Sequence, residues 1–493
     1  MKETQKIEFT NNRNCEQIKY FLFAFLFLGL MIFCILGIYT VAAPRWTQIA
    51  YSRLDWETFG GIYEYPKTQP YTLDYFIPLI AGIYILIGLI FTLFLKKKVK
   101  KQNIHGLLKV FTLLGIIITS VVGTGGIVLG APEMEFYAYN AGPYLTWGTE
   151  GNITQDPTSG ITICWHSKFN TPSQVKYGNA PDNLDKLAVS SGIGRFHQVP
   201  MNELESNTTY YYKISGFKIK QFRTAPFGRF DYSCYLWADP RTNNGYDSAI
   251  EETNMPKIIS EHAKEDGIDM AFSICAGDIT ARGVDYKTWK LWLNDISTND
   301  FTSNYSHAVA IGNHERHDDT GAVNFPNYYP YQDKKDVHFS YSFDYGRVHF
   351  SILDRWNTSD PWYGGTGYAQ AEWLEQDLIE HADTDFKILV MHNNPIITNE
   401  HHGDCSLIMN VAESQGIDVI FCGHTHAYQT YDFSGGYLDP GSYDQMVMMI
   451  GIGGNRDNLC YNGYCRIDIN ETAISLKPRL ACDESHFEEF IIT

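Results

Sequence analysis

Five places along the chain set a residue that can bind a metal or move a proton at the end of an apolar run. They are Asp239, Asp278, Asn313 with His314, His392, and His424 with His426. Asp239 and Asp278 offer carboxylate oxygens, Asn313 a neutral amide oxygen and the histidines imidazole nitrogens, a mixed set that suits divalent metals of borderline character. An imidazole also titrates near about pH 6.5, which suits His314 to proton transfer. Any one of these residues alone reads as a turn-capping Asp or a solvent-facing His. Five in succession, each leading into a loop, point to a binuclear metal site of mixed nitrogen and oxygen ligands.

The elements that must position them follow from the pattern. Apolar runs at 232–237, 270–275, 308–311, 386–390 and 419–421 alternate with helical stretches at 255–264 and 369–379, which indicates an α/β layer. In such folds the groups at strand C-termini converge on one edge of the sheet. A pair of strands at 338–343 and 348–353, joined across Tyr345-Gly346, predicts a hairpin. Upstream, short half-buried strands at 161–165, 174–177 and 210–214 are separated by turn residues at 178–181 and 190–192. The expected order is a small β-sandwich over 132–226 and then an α/β domain over 227–493.

The first 131 residues differ again. Uncharged runs at 20–43, 75–95 and 110–131 each approach or exceed the ~20 residues needed to cross a bilayer. The basic stretch from Lys96 to Lys101 places that loop and the N-terminus in the cytoplasm, and everything after the third run outside. A cleaved signal ending at Ala42-Ala43 is the alternative for the first run. The runs contain no Asp, Glu, Lys, Arg or His, so they predict a plain anchor in membrane lipid rather than a transport path. Five glycosylation motifs, at Asn152, Asn207, Asn304, Asn357 and Asn470, all follow the third run, in keeping with an outward location.

Residues 1–130 carry 13 Lys/Arg and 7 Asp/Glu, a net +6, and the remainder carries −24. So acidic an ectodomain argues against nucleic acid as a partner, because duplex binding requires phosphate neutralisation. Ten cysteines in 493 residues are too few for a disulfide scaffold. Cys164, Cys234, Cys275 and Cys422 sit in apolar runs and predict buried thiols. Cys460 and Cys465 flank Asn462-Gly463, a hairpin turn signal that would let the two sulfurs face each other.

The motifs Ala238-Asp239, Gly277-Asp278, Gly312-Asn313-His314-Glu315, Val390-Met391-His392 and Gly423-His424-Thr425-His426 resemble those of the calcineurin-like metallophosphoesterases, and specifically the purple acid phosphatases. Gly142-Pro143-Tyr144-Leu145 and Thr209-Tyr210-Tyr211-Tyr212 are similar to that family's fibronectin type III-like N-terminal domain. Gly451-Ile452-Gly453-Gly454-Asn455 resembles its closing strand and loop. The resemblance runs from about Gly142 to Ile469 and does not cover the three membrane runs.

Carried over by position, the resemblance implies that Asp278 bridges two metal ions. Asn313, His392 and His424 would complete one site, and Asp239 and His426 the other. His314 would be the acid beside the leaving group, and His401 and His402 fall where the family places a substrate-contacting histidine. Two such ions activate water at neutral pH and clamp the phosphoryl oxygens of a phosphate ester. Two departures stand out. Ala281 occupies the family's tyrosine position, which removes a phenolate ligand and predicts divalent Mn, Zn or Fe instead of ferric iron. Arg241 replaces a usual glycine near the same site and is a candidate fork for phosphate. The leading expectation is a phosphomonoesterase. A phosphodiesterase or nucleotide pyrophosphatase, and a phosphate-binding sensor without turnover, are the alternatives; a proton donor such as His314 argues against the last.

Overall fold

Apolar runs too short for helices build two sheets. Tyr232–Trp237, Met270–Cys275 and Ser306–Val309 pair in parallel, with Trp237 and Val309 both opposite Cys275. They form the middle of a twelve-stranded sheet. Tyr341–Tyr345, Val348–Leu353, Phe386–Met391, Val419–Cys422, Met446–Met449 and Gln429–Tyr431 form a second, six-stranded sheet in that order. This computed structural model describes residues 140–493 apart from 150–152, 155, 241–254, 284–285, 298–299, 317–321, 323, 332–338, 355–366, 397–404, 452–462 and 481–488. The three predicted membrane runs lie outside the described residues, among which no helix is long and apolar enough to cross a membrane.

The two sheets face each other through alternate residues, as the pleat requires. Phe272 meets Phe343 and Phe350 edge-on, and Tyr232 meets Tyr345. The opposite face of the first sheet takes helices: Trp237 stacks on Trp292 of helix Tyr286–Ile296. Behind the second sheet, Leu389 and Met391 share a core with Leu374 and Leu378 of helix Gly367–Glu380 and with Ile408 and Ala412 of helix Ser406–Ser414. The result is an α/β sandwich with helices on both outer faces.

The β-sandwich ahead of it is built from Ile161–Gly178, Lys186–Met201, Thr209–Lys213 and Lys220–Arg223, around a core that includes Ile163, Trp165, Val175, Tyr210 and Phe222. The expected strands at 161–165 and 174–177 are the two ends of one strand. Its ladder is interrupted between His166 and Thr171 and again between Pro172 and Ser173. Pro172 cannot donate to the ladder, and the chain bulges there rather than ending. The two domains share a sheet. Ala141–Thr146 pairs antiparallel with Ile161–Gly178 on one side and parallel with Ser306–Val309 on the other. Tyr144 donates to the Tyr328 carbonyl at 2.6 Å and Tyr212 to that of Ser303 at 2.7 Å, which fastens the sandwich across the same boundary.

Two details correct the sequence reading. The hairpin is displaced, with Tyr345 opposite Val348 and the loop at Gly346-Arg347, because Gly346 supplies the positive φ of 60° that the tight turn needs. Cys465 lies in strand Gly463–Ile469 opposite Pro478 and Leu236, as a buried free thiol; Cys460 is outside the described residues. Gly463 is the first residue of that strand and not part of a turn, and the strand pairs with Ile474–Leu480; the expected facing of Cys460 and Cys465 falls outside the described residues.

His307 is fully buried beside Trp237, Trp292 and Tyr329. Its Nδ1 meets the Ser273 hydroxyl at 2.8 Å, while its Nε2 has no hydrogen-bond partner among the described residues. Burial lowers its pKa to about 3, against a smaller opposing effect from Ser273. A folded-state value below the unfolded one means that the unfolded chain binds the extra proton. Stability from this group is therefore complete above about pH 6.5 and is lost as pH falls toward 3, by at most about 5 kcal/mol. Urea midpoints at pH 7.5 and pH 5 should show a steeper acid loss for the wild type than for His307→Gln. Equal slopes would refute the assignment.

Candidate metal centre

The strand ends bring Asp239, Asp278, Asn313, His314, His392, His424 and His426 to one edge where the two sheets meet. Asp278, His392 and His424 form one group able to hold a metal ion, and Asp239, Asp278 and His426 form another. Asp278 belongs to both. In the first group His392 Nε2 lies 3.1 Å from Asp278 Oδ1 and 3.1 Å from Asn313 Oδ1. His424 Nδ1 lies 2.9 Å from Asn313 Oδ1 and 3.3 Å from His392 Nε2. In the second, His426 Nε2 lies 3.6 Å from Asp239 Oδ1. Arg241, His401 and His402 fall outside the described residues.

The donor set fits metal ions. His392 donates Nδ1–H to the Ala276 carbonyl at 2.8 Å, which leaves a lone pair on Nε2. That nitrogen faces a carboxylate oxygen, an amide oxygen and another imidazole nitrogen. A convergence of acceptors demands a cation. Burial alone would keep His392 neutral, but Asp278 and Asp239 outweigh it and push its pKa up to about 9, so a proton takes that role when no metal does.

The backbone is shaped around these ligands. Eight non-glycine residues have positive φ among the described residues, and four of them are Asp239 (58°), Asp278 (54°), His424 (70°) and His426 (54°). Such left-handed positions cost about 1–3 kcal/mol each. The fully buried side chains behind them each contribute about 1.5–3 kcal/mol, and there are dozens, so the core outweighs the strain. Close approach also excludes side chains beside the ligands. A Cβ on Gly312 would stand 2.3 Å from Asp278 N, and one on Gly423 would stand 2.5 Å from Asp239 Oδ2.

Glu315, which sequence reasoning quoted in its motif without giving it a role, holds the loops in place. It is 1% exposed. Its Oε2 accepts from Asp278 N at 3.0 Å and Gly312 N at 2.8 Å, and its Oε1 accepts from Thr280 N at 2.8 Å and Thr280 Oγ1 at 3.1 Å. Burial and then the Asp278 charge raise its pKa to about 7, while the Thr280 and Gly312 hydrogen bonds pull the other way. The signal was a charged residue following directly on two candidate site residues; its partners are backbone groups, which have no signature in sequence. His314 is set by a second such contact. Its Nδ1 lies 2.7 Å from the Ala281 carbonyl and its backbone N–H donates to Asp278 Oδ1 at 2.9 Å, with Nε2 3.9 Å from Asp278 Oδ2.

Two ligand groups that share Asp278 at the edge of an α/β sandwich suit a binuclear metal centre, and comparison with known proteins points the same way. The family described as calcineurin-like phosphoesterase matches residues 252–428, and the N-terminal domain of purple acid phosphatases matches residues 150–224. Purple acid phosphatase 18 of Arabidopsis thaliana is 24% identical over 314 residues, covering 59% of this chain and 67% of its own. A phosphoenolpyruvate phosphatase of Allium cepa is 25% identical over 372 residues, covering 62% and 70%. The structure of a purple acid phosphatase from yellow lupin (Lupinus luteus) seeds superposes with a TM-score of 0.55 at 16% identity, over 72% of this chain and 74% of that one, which shows the shared fold. The chain is thus a hydrolase with the domain make-up of the purple acid phosphatase family.

Proposed function

We propose that the chain is a membrane-anchored, outward-facing phosphatase that hydrolyses phosphate monoesters at a binuclear metal centre. The shared carboxylate carries this reading: because Asp278 belongs to both ligand groups, the two cation positions are adjacent. Asp278, Asn313, His392 and His424 would hold one ion, and Asp239, Asp278 and His426 the other. A bound ion pair supplies Lewis acidity that activates water and neutralises phosphoryl charge. His314 holds a proton for the leaving oxygen on Nε2, while its Nδ1–H stays committed to the Ala281 carbonyl. Arg241, His401 and His402 remain candidates for gripping the phosphate. Phosphoenolpyruvate, named in one relative, is itself a monoester.

Ala281 contributes no side-chain ligand, so a hard ferric ion would lack its phenolate and the visible band that goes with it. The purified full chain should be colourless and should lose hydrolysis of p-nitrophenyl phosphate to a chelator. Manganese, zinc or ferrous iron should restore it. A purple, iron-containing preparation would contradict the divalent assignment, and absence of turnover with every metal would leave only phosphate binding.

Orientation has its own test. The runs at 20–43, 75–95 and 110–131 with the Lys96–Lys101 stretch between them support an outward domain, as do exposed Asn207 and Asn470 in glycosylation motifs. Protease added to the outer face of sealed cells should release the domain that follows residue 131. Protection until the membrane is opened would reverse the topology.

A further inference from the structure

The long hairpin of the β-sandwich carries an apolar face that is open to solvent. Strands Ile161–Gly178 and Lys186–Met201 pair so that Val175 is opposite Ala188 and Tyr177 opposite Lys186. Val175 and Tyr177 pack in the sandwich core, so the alternate pairs face outward. Those pairs are Lys176 with Leu187, Gln174 with Val189 and Pro172 with Ile193. Leu187 and Val189 are each 56% exposed and Ile193 is 71% exposed. Phe169, 66% exposed, stands at the bulge where the ladder breaks, and Ser167 Oγ donates to its carbonyl at 2.6 Å. Four of the nine exposed large hydrophobic side chains among the described residues thus lie on this hairpin. Scattered singly they would be ordinary, but gathered on one element they mark an interaction surface.

Two observations indicate what meets this face. The first is the point of attachment. Asn140 accepts through Oδ1 from the Lys168 backbone N–H at 2.8 Å, and Ala141 pairs with His166. The chain therefore enters the domain beside Phe169. The third uncharged run ends at Ala131, and Asn140 lies nine residues on. Nine residues reach at most about 30 Å, so with that run in a bilayer the hairpin is kept near lipid. The second observation is charge. Lys168, Lys176, Lys186 and Arg195 stand against Asp182 and Asp185 between Ile161 and Met201, a net +2 in a strongly acidic ectodomain. Lys168 Nζ lies 5.6 Å from the centre of the Phe169 ring, and Lys176 shares the outward face with Leu187. Apolar side chains flanked by lysines suit the boundary between acyl chains and phosphate headgroups.

We propose that the face bearing Phe169, Leu187, Val189 and Ile193 is a lipid-binding surface that rests in the headgroup layer of the membrane. This rests on the membrane anchoring proposed above. Phe169 and Ile193 enter the boundary with the acyl chains, while Lys168 and Lys176 keep their ammonium groups among the phosphates. The catalytic domain is then held to the membrane at two points, the tether before Asn140 and the hairpin beside it, instead of swinging on the tether alone.

Photocrosslinking tests this. Full-length Phe169→p-benzoylphenylalanine and Ile193→p-benzoylphenylalanine proteins are reconstituted into vesicles of phosphatidylcholine and phosphatidylserine, floated on a density gradient and irradiated. Both positions are exposed, so folding should survive the probe, and two sites keep the test from depending on one. Tyr437→p-benzoylphenylalanine, at an exposed position in the catalytic half, is the comparison. Mass spectrometry of the intact chains should show lipid adducts at 169 and 193 several-fold above those at 437. Floating protein whose hairpin probes give no more lipid adduct than the comparison overturns the proposal and leaves the anchoring intact. Adducts to a second copy of the chain in place of lipid overturn it too, by making the face an interface between copies. Protein that does not float with the vesicles removes the anchoring itself, and the proposal with it.

Discussion

His314→Ala should slow hydrolysis of alkyl phosphates by about 10²–10⁴-fold while aryl phosphates with good leaving groups lose much less. The reason is the direction of the ring. Nδ1 is committed to the Ala281 carbonyl at 2.7 Å, so the nitrogen that can move a proton is Nε2, on the Asp278 side. An alkoxide leaves poorly without a proton and a nitrophenolate leaves readily, so only the first depends on the acid. Steady-state rates on a series of esters of graded leaving-group pKa provide the measurement. The variant should show a steeper dependence on that pKa than the wild type. Equal losses across the series would assign His314 to substrate positioning.

Glu315→Ala should be the more damaging change to the protein itself. It removes the acceptor for three buried backbone N–H groups, those of Asp278, Thr280 and Gly312, and for one hydroxyl. Each buried donor left without a partner costs about 1–3 kcal/mol, so the total is of the order of the whole stability margin of a domain. Because those same N–H groups fix the loops that carry Asp278 and Asn313, metal retention should fall with stability. Glu315→Gln keeps one acceptor oxygen and should fall between the two. Thermal midpoints and bound metal for the three proteins test this. A Glu315→Ala protein with wild-type midpoint and metal content would remove Glu315 from any supporting role.

What the sequence made legible depends on where the information lies. Tyr232–Trp237 and Met270–Cys275 were readable to the residue, because each is a buried run bounded by polar turns. The gathering of Asp239, Asp278, Asn313, His392 and His424 was readable as a consequence of strand polarity. The bulged strand Ile161–Gly178 was not, because Pro172 and the polar stretch around it look like a break. Helices Tyr286–Ile296 and Ser406–Ser414 went unread, the first for its high aromatic content and the second for its shortness. The orienting contacts of His392 to Ala276 and of His314 to Ala281 end on carbonyls, which every residue possesses. Local pattern reveals which side chains are present, and long-range backbone partners emerge only in three dimensions.

The strand Ala141–Thr146 has a consequence for how the molecule comes apart. It belongs by sequence to the sandwich, yet it lies between Ile161–Gly178 and Ser306–Val309, inside the sheet that runs into the catalytic half. Cutting the chain at the apparent domain boundary near 226 would strip Ser306–Val309 of a neighbour and expose a raw sheet edge two strands from Asp239. The two halves should therefore melt together as one cooperative unit. Truncation at that boundary should lower the melting midpoint of the catalytic half, although the sandwich is remote from the reaction.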